Sequence, residues 1–286
     1  MTATTPTSRA DGMASTRNRL DLLAHWVRRQ ASADAAGWFD ATLDGLLENG
    51  GEQSLIRAIG LAPRRLGKAD LVLTGDDRER AQSIRSGFDP SGLSVDQAAR
   101  IAFMLASYRG DDDAFASRVA AFARTADLSE SIAYLRGLAV FPAMRELLPV
   151  AAEGVRSSVK PIFEAVAHRN PYPAEIFDQG AWNQMVLKAL FIDSTLAPIQ
   201  RLDERANPDL AEMLVDYAHE RWAAGRPVSP ELWRCVGPYA DERALADLER
   251  VLSTGTPEER AAAKAAIAAC PLPRARELLE STRNAQ

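Results

Sequence analysis

The sequence predicts an all-α protein, an irregular array of antiparallel helices that becomes HEAT-like towards the C-terminus. Three observations carry this. Helix N-terminal signatures recur along the chain, strand signals are confined to one run of four residues, and the last helical segments are joined by turns of only a few residues, which makes neighbours pack antiparallel.

In chain order, the start MTATTPTSRADGMASTRNR has no apolar h-region, which argues against secretion; residues 1–17 are expected to be a disordered tail and 18–286 a single helical domain. A softer lobe boundary is placed near residue 156. APRRLGKA, from Ala62 to Ala69, reads as a loop, and Leu71 to Thr74 is the lone β-like run. Asp76-Asp77 and Asp111-Asp112-Asp113 resemble metal–diphosphate motifs, but each follows a glycine and precedes a helical pattern. They are therefore read as carboxylates placed at helix N-termini.

Ser94 and Gln97 form a capping box for SVDQAARIAFMLASYRG, with Val95, Ala98, Ala102, Leu105 and Tyr108 at helical spacing and Gly110 as the stop. HRNPYPAEIFD, from His168 to Asp178, is expected to be an extended, aromatic-bearing loop fixed by its prolines. His168 and Tyr172 then serve either as a rigid helix stop or as the mouth of a cleft. Asn207-Pro208 opens NPDLAEMLVDYAHERWAAG, where Asn accepts free amide hydrogens, Pro supplies its fixed φ and Gly225 permits a left-handed exit. Ser229-Pro230 starts a short helix that Gly237-Pro238 stops; the aromatics Trp222, Trp233 and Tyr239 around it anchor a hinge or line an apolar pocket. Helices follow at about 241–254, 257–269 and 273–282, the second opened by a Thr256/Glu259 capping box. No strict repeat period is visible.

At 286 residues, 47% hydrophobic and 26% charged, the chain has the profile of a globular protein with one or two cores. A net charge of -5 argues against a nonspecific binder of phosphate backbones, so no nucleic-acid partner is expected. Two cysteines, three isolated histidines and the lack of CxxC or HExxH spacing indicate neither a disulfide framework nor a standard zinc site, so no metal ligands are assigned. No uninterrupted apolar stretch approaches membrane-spanning length, and the expected location is the cytoplasm.

The polar groups inside the apolar helices are the most informative feature. In AWNQMVLKALF, from Ala181 to Phe191, Gln184 and Lys188 are neighbours on one face while Asn183 falls in the apolar stripe between Leu187 and Leu190. Gln184 and Lys188 form either a solvated edge or, if covered, a site where Lys188 needs a carboxylate or a ligand. In the next helix Arg221 projects into the stripe of Leu210, Leu214 and Tyr217, with Asp216 and Glu220 side by side at its border and His219 further round. That trio suits a divalent metal or acid–base chemistry. It equally suits ion pairs with Arg221, Arg205 or Lys188. Asn183, Gln184 and Lys188 are expected to meet the charged face of this helix and the NPYP loop.

Four blocks, PRRLGKADL from Pro63, TADLSESIAYLRGL from Thr125, NPYPAEIFDQGAWNQMVLKALF from Asn170 and DYAHERWAAGRPVSPELWRCVGPY from Asp216, together resemble the EboA family from about residue 20 to the end. That family is named for a bacterial operon whose other products look like a UbiA-type prenyltransferase, a dehydroquinate-synthase-like cyclase, a TatD-like metallohydrolase, a sugar-isomerase-like barrel and a phosphatase-like protein. The resemblance implies a part in secondary metabolism of a prenylated, cyclitol-like compound, or in precursor export. The family has no established catalytic motif, so no active-site residue or cofactor carries over.

Two functions are therefore weighed. In the first, a helical accessory protein binds a small hydrophobic metabolite or docks the other operon products, including the membrane prenyltransferase, with Tyr172, Trp182, Asn183, Gln184, Trp222 and Trp233 as ligand contacts. In the second, an enzyme acts on a phosphorylated or diphosphate-bearing intermediate, with or without a metal. Glu220 or Asp216 is then the base, His168 or His219 the acid or ligand, and Lys188 with Arg221 the anion clamp. A ligand-free scaffold ranks behind both.

Overall fold

The computed structural model describes residues 6–284, with side chains described for 12–48 and 50–280. Every regular element is an α-helix or a short 3-10 turn, so the expected all-α class holds; the only β pairing among the described residues is an isolated bridge between Asp70 and Ser94. That bridge uses the β-like run: the amide of Leu71 donates to the carbonyl of Leu93 at 2.8 Å. Gln30 holds the same run by its side chain, donating to Asp70 O at 2.7 Å and accepting from the Val72 amide at 2.8 Å.

The chain forms two compact units, residues 1–176 and 177–286, so the division comes some twenty residues after the expected lobe boundary. The first unit contains α1 (Pro6–Gln30), α2 (Ala33–Asn49), α3 (Glu52–Leu66), α4 (Gly75–Ile84), α5 (Val95–Ala106), α6 (Asp112–Thr125), α7 (Leu128–Gly137), α8 (Leu148–Arg156), α9 (Lys160–Ala167) and α10 (Tyr172–Ile176). Its centre is α5, against which α1, α2, α3 and α7 pack. Every residue of α5 except Gln97 is buried, a helix covered on all sides rather than the one-striped helix its spacing suggested. Alanines at 98, 99, 102 and 106 leave room for the surrounding helices to approach.

Three sequence expectations change here. Residues 6–17, expected in the tail, belong to α1: Thr16 is buried, and Arg19 reaches Val140 O at 3.0 Å. Residues 1–5 lie outside the described residues. The APRRLGKA loop begins only at Gly67, whose φ of 79° ends α3, because Pro63 is accommodated inside the helix. The HRNPYP segment is not extended throughout: the Asn170 side chain accepts the Tyr172 amide at 3.0 Å and α10 starts there.

The second unit contains α11 (Gln179–Phe191), α12 (Pro208–Ala223), α13 (Trp233–Val236) between two 3-10 turns, α14 (Glu242–Thr254), α15 (Pro257–Ala269) and α16 (Pro273–Asn284). The three C-terminal helices fall where the sequence puts them. α15 packs on α14, α16 and the α13 segment. Gly237 permits that last approach, since a Cβ there would sit 2.6 Å from the Ala266 carbonyl oxygen. Among the described residues no helix is long and apolar enough to cross a membrane.

Candidate functional site

The second unit carries a groove of about 560 Å³ lined by Gln184, Leu187, Lys188 and Phe191 of α11 and by Tyr217, Glu220, Arg221, Ala224 and Arg226 of α12 and its exit. Local sequence explains how these residues meet. Asp178 caps α11 by accepting the Ala181 amide at 2.7 Å, and Asn207 caps α12 by accepting the Leu210 amide at 2.9 Å. The two caps are tied together, because Asn183 and Asn207 exchange side-chain amide bonds of 3.1 and 2.9 Å. Asn183 is thus buried and satisfied by the N-cap of α12 rather than by its charged face. At the far end Tyr217 Oη donates to Leu190 O at 3.2 Å.

Between these ties, positions 184, 187, 188 and 191 share one face of α11. Gln184 is exposed, Lys188 half-buried, and Phe191 is 75% exposed, the most exposed phenylalanine ring of the structure. Burial holds the Lys188 ammonium below its ordinary pKa. Arg221 is half-buried, as its position in the stripe predicts, and its Nε donates to Pro227 O at 2.9 Å.

The acidic trio separates. Asp216 accepts from Arg243 Nη2 of α14 at 2.9 Å, and His219 lies between Arg243, 2.9 Å from Nδ1, and Asp247, 2.7 Å from Nε2. A guanidinium can only donate, so Nδ1 accepts from Arg243 while Nε2–H donates to the Asp247 carboxylate. Glu220 alone of the trio lines the groove. Among the described residues no three His, Cys, Asp or Glu side chains gather as a metal-holding group. The partners expected for the trio were Arg221, Arg205 or Lys188; the one found, Arg243, lies on a helix the sequence did not connect to it.

The other sequence candidates are placed elsewhere. His168 caps the end of α9 in the first unit, beside Asp89 and Arg136. Tyr172 is fully buried in that unit with its hydroxyl donating to Met144 O. Trp182 and Trp233 are also buried core rings rather than groove walls. Arg205 lies over Trp182 at 4.7 Å, while Trp222 stacks on Trp233 at 5.9 Å and receives Arg250 at 4.4 Å on its face. Of the expected ligand contacts only Gln184 lines the groove. Phe191, Tyr217 and Arg226 were not singled out; the spacing 184, 188, 191 was the signal available for Phe191.

A family model described as metabolite traffic protein EboA matches residues 19–237. The chain belongs to the EboA family. The EboA match takes in parts of both units and every residue of the groove, and it stops before α14, so α14 to α16 lie outside it. No curated protein and no solved structure matches the chain.

Proposed function

We propose that this EboA-family chain is an accessory protein of metabolite traffic that binds a small hydrophobic intermediate in the α11–α12 groove and passes it to partner enzymes. The family's description supports the traffic role. The observation that carries the site is Phe191, a phenylalanine three-quarters exposed at the edge of a groove whose volume lies within the range of about 300–1,000 Å³ common to small-molecule sites. Leaving such a ring in water forfeits the burial that normally stabilises it, and a ligand's apolar surface would recover it. The partners on this reading are the other operon products, including the UbiA-type prenyltransferase, met from the cytoplasmic side. An enzyme in the same groove would have to take its acid and base from Glu220 and Lys188, since Asp216 and His219 are engaged by α14.

Calorimetric titration with decanol tests the reading. Binding is expected, and Phe191→Ser should weaken it by about fivefold or more, with the helical circular dichroism unchanged. Absence of binding, or binding indifferent to Phe191, would overturn it.

A further inference from the structure

We infer that the α11–α12 groove selects amphiphiles with an anionic, phosphate-type head, held by Lys188, Arg221 and Arg226 while the chain lies along Leu187, Phe191 and Tyr217. The inference rests on the groove being a metabolite site and adds the chemical class of its ligand.

Several cations of this unit are spent on carboxylates. Arg201 pairs with Glu204 at 2.6 Å, Arg234 with Asp203 at 2.6 Å, Arg243 with Asp216 at 2.9 Å, and Arg274 with Glu242 and Glu249 at 3.2 and 2.6 Å. Other cations, such as Arg250 over the Trp222 ring, are also outside these pairs; what sets the groove apart is that three cations line one surface. Among the described residues, neither Lys188 nor Arg226 has a carboxylate within ion-pair distance. Arg221 spends Nε on a backbone carbonyl, which leaves its two terminal nitrogens for another acceptor. Three cations thus line the groove against the single carboxylate of Glu220.

The backbone gathers them. Gly225, at φ 65°, turns the chain back at the end of α12, and the Arg226 amide bonds to Arg221 O at 2.8 Å, so residues five apart in sequence line one groove. Lys188 arrives from the other wall, on α11. Unneutralised like charges gathered this way cost free energy that a bound anion would return. Guanidinium and ammonium donors together suit a phosphate's several acceptors. The apolar stretch from Leu187 to Phe191 gives the attached chain somewhere to lie.

The experiment compares decyl phosphate, decanol and inorganic pyrophosphate by calorimetry, all below micelle-forming concentration, with vesicles of phosphatidylcholine with and without phosphatidic acid as a further arm. Decyl phosphate should bind about tenfold or more tightly than decanol, as one well-made charge-assisted contact supplies. That preference should shrink at raised salt and fall at least threefold in Lys188→Gln and in Arg226→Gln, both at half-exposed or exposed positions where folding is readily confirmed by circular dichroism. Binding to the phosphatidic acid vesicles in place of monomeric decyl phosphate would uphold the head chemistry and name a membrane lipid as its source. Equal affinity for decyl phosphate and decanol would overturn the inference and leave the metabolite groove standing. Pyrophosphate binding as tightly as decyl phosphate would show that the chain adds nothing, and would overturn the amphiphile inference together with the hydrophobic ligand, leaving an anion site alone. No binding by any probe would overturn both.

Discussion

Arg100 Nε donates to the carbonyl of Ile59 at 3.2 Å, and that carbonyl lacks its usual helical partner because the residue four positions on is Pro63. A proline inside α3 removes one backbone donor, and the central helix α5 returns one through a buried arginine. The same guanidinium donates to Ser129 Oγ at 2.8 Å and lies 3.4 Å from the buried Asp96. Arg100→Leu should cost about 3–5 kcal/mol, since it strands Asp96 and the Ile59 carbonyl together. In a Pro63→Ala background, where the backbone amide returns, the cost should be smaller by about 1 kcal/mol. Urea unfolding of the four chains measures this. Identical costs in the two backgrounds would show that the carbonyl is not what Arg100 serves.

Asp77 collects donors from three directions. Trp26 Nε1 lies 3.0 Å away, Arg29 gives a two-pronged pair at 2.9 and 2.7 Å, and the Thr74 amide and hydroxyl donate at 2.8 and 2.9 Å, the amide bond being half of a capping box. The Arg29 guanidinium is the largest influence, and it holds the Asp77 carboxyl far below the usual carboxylate range. A depressed folded pKa contributes stability that is present above the unfolded value of about 3.9 and is lost as pH falls from there towards the folded value. Asp77→Asn should therefore cost about 2–3 kcal/mol at neutral pH. Its deficit should narrow below about pH 4, as the native chain loses its own contribution. Thermal unfolding of both chains at pH 7 and pH 3 reads the difference; a deficit constant with pH would refute the charge-based account.

Trp182 and Trp222 have different environments, the first buried and the second half-exposed. Trp182 is fully buried, and its Nε1 has no hydrogen-bond partner among the described residues. Trp182→Ala should cost about 3–5 kcal/mol through the cavity left behind. Trp182→Phe should cost less than half as much, because it keeps most of the packing and removes an unsatisfied donor. Trp222→Ala loses a stacked pair and a cation–π contact at a half-exposed position, and about 1–2 kcal/mol is expected. Denaturation midpoints rank the three. A Trp182→Ala chain as stable as the native one would mean the ring is not the core anchor its burial describes.

The readable parts of this sequence are the local ones. Thr256 with Glu259, Asn207 with Pro208, and Asp77 and Asp111 at their helix starts all do what their spacing says, because a cap is completed within four residues. Contacts made at long range were not readable. Nothing near Asp216 announces Arg243, and nothing near Pro63 announces Arg100, since both pairings depend on which helix folds back against which. Periodicity misled in α5 for a related reason: small residues spaced between large ones look like a polar-tolerant face, yet here they admit neighbours on every side. The groove was half legible, Lys188, Arg221 and Gln184 from their helix faces, while Arg226 lay beyond the helix end and the exposed Phe191 was hidden among apolar residues that ordinarily signify burial.

Lys188 gives the groove a proton signature. Its ammonium is weakened by burial, whereas an anion beside it would favour the charged form and raise its pKa on binding. Affinity for decyl phosphate should accordingly be full below the free lysine's pKa and should decline as pH rises through the higher pKa of the complex. Between those two values each binding event takes up a proton, which calorimetry in two buffers of different ionisation enthalpy detects. Glu220, Arg221, Tyr217 and Arg226 line the same groove, so the assignment needs a control that leaves all four in place. Lys188→Arg is that control, because a guanidinium stays charged across the range from about pH 7 to about pH 11. The native chain should lose affinity towards the upper end of that range and the arginine variant should not; a decline of equal steepness in both would place the titrating group elsewhere in the groove and remove Lys188 from the binding of the head.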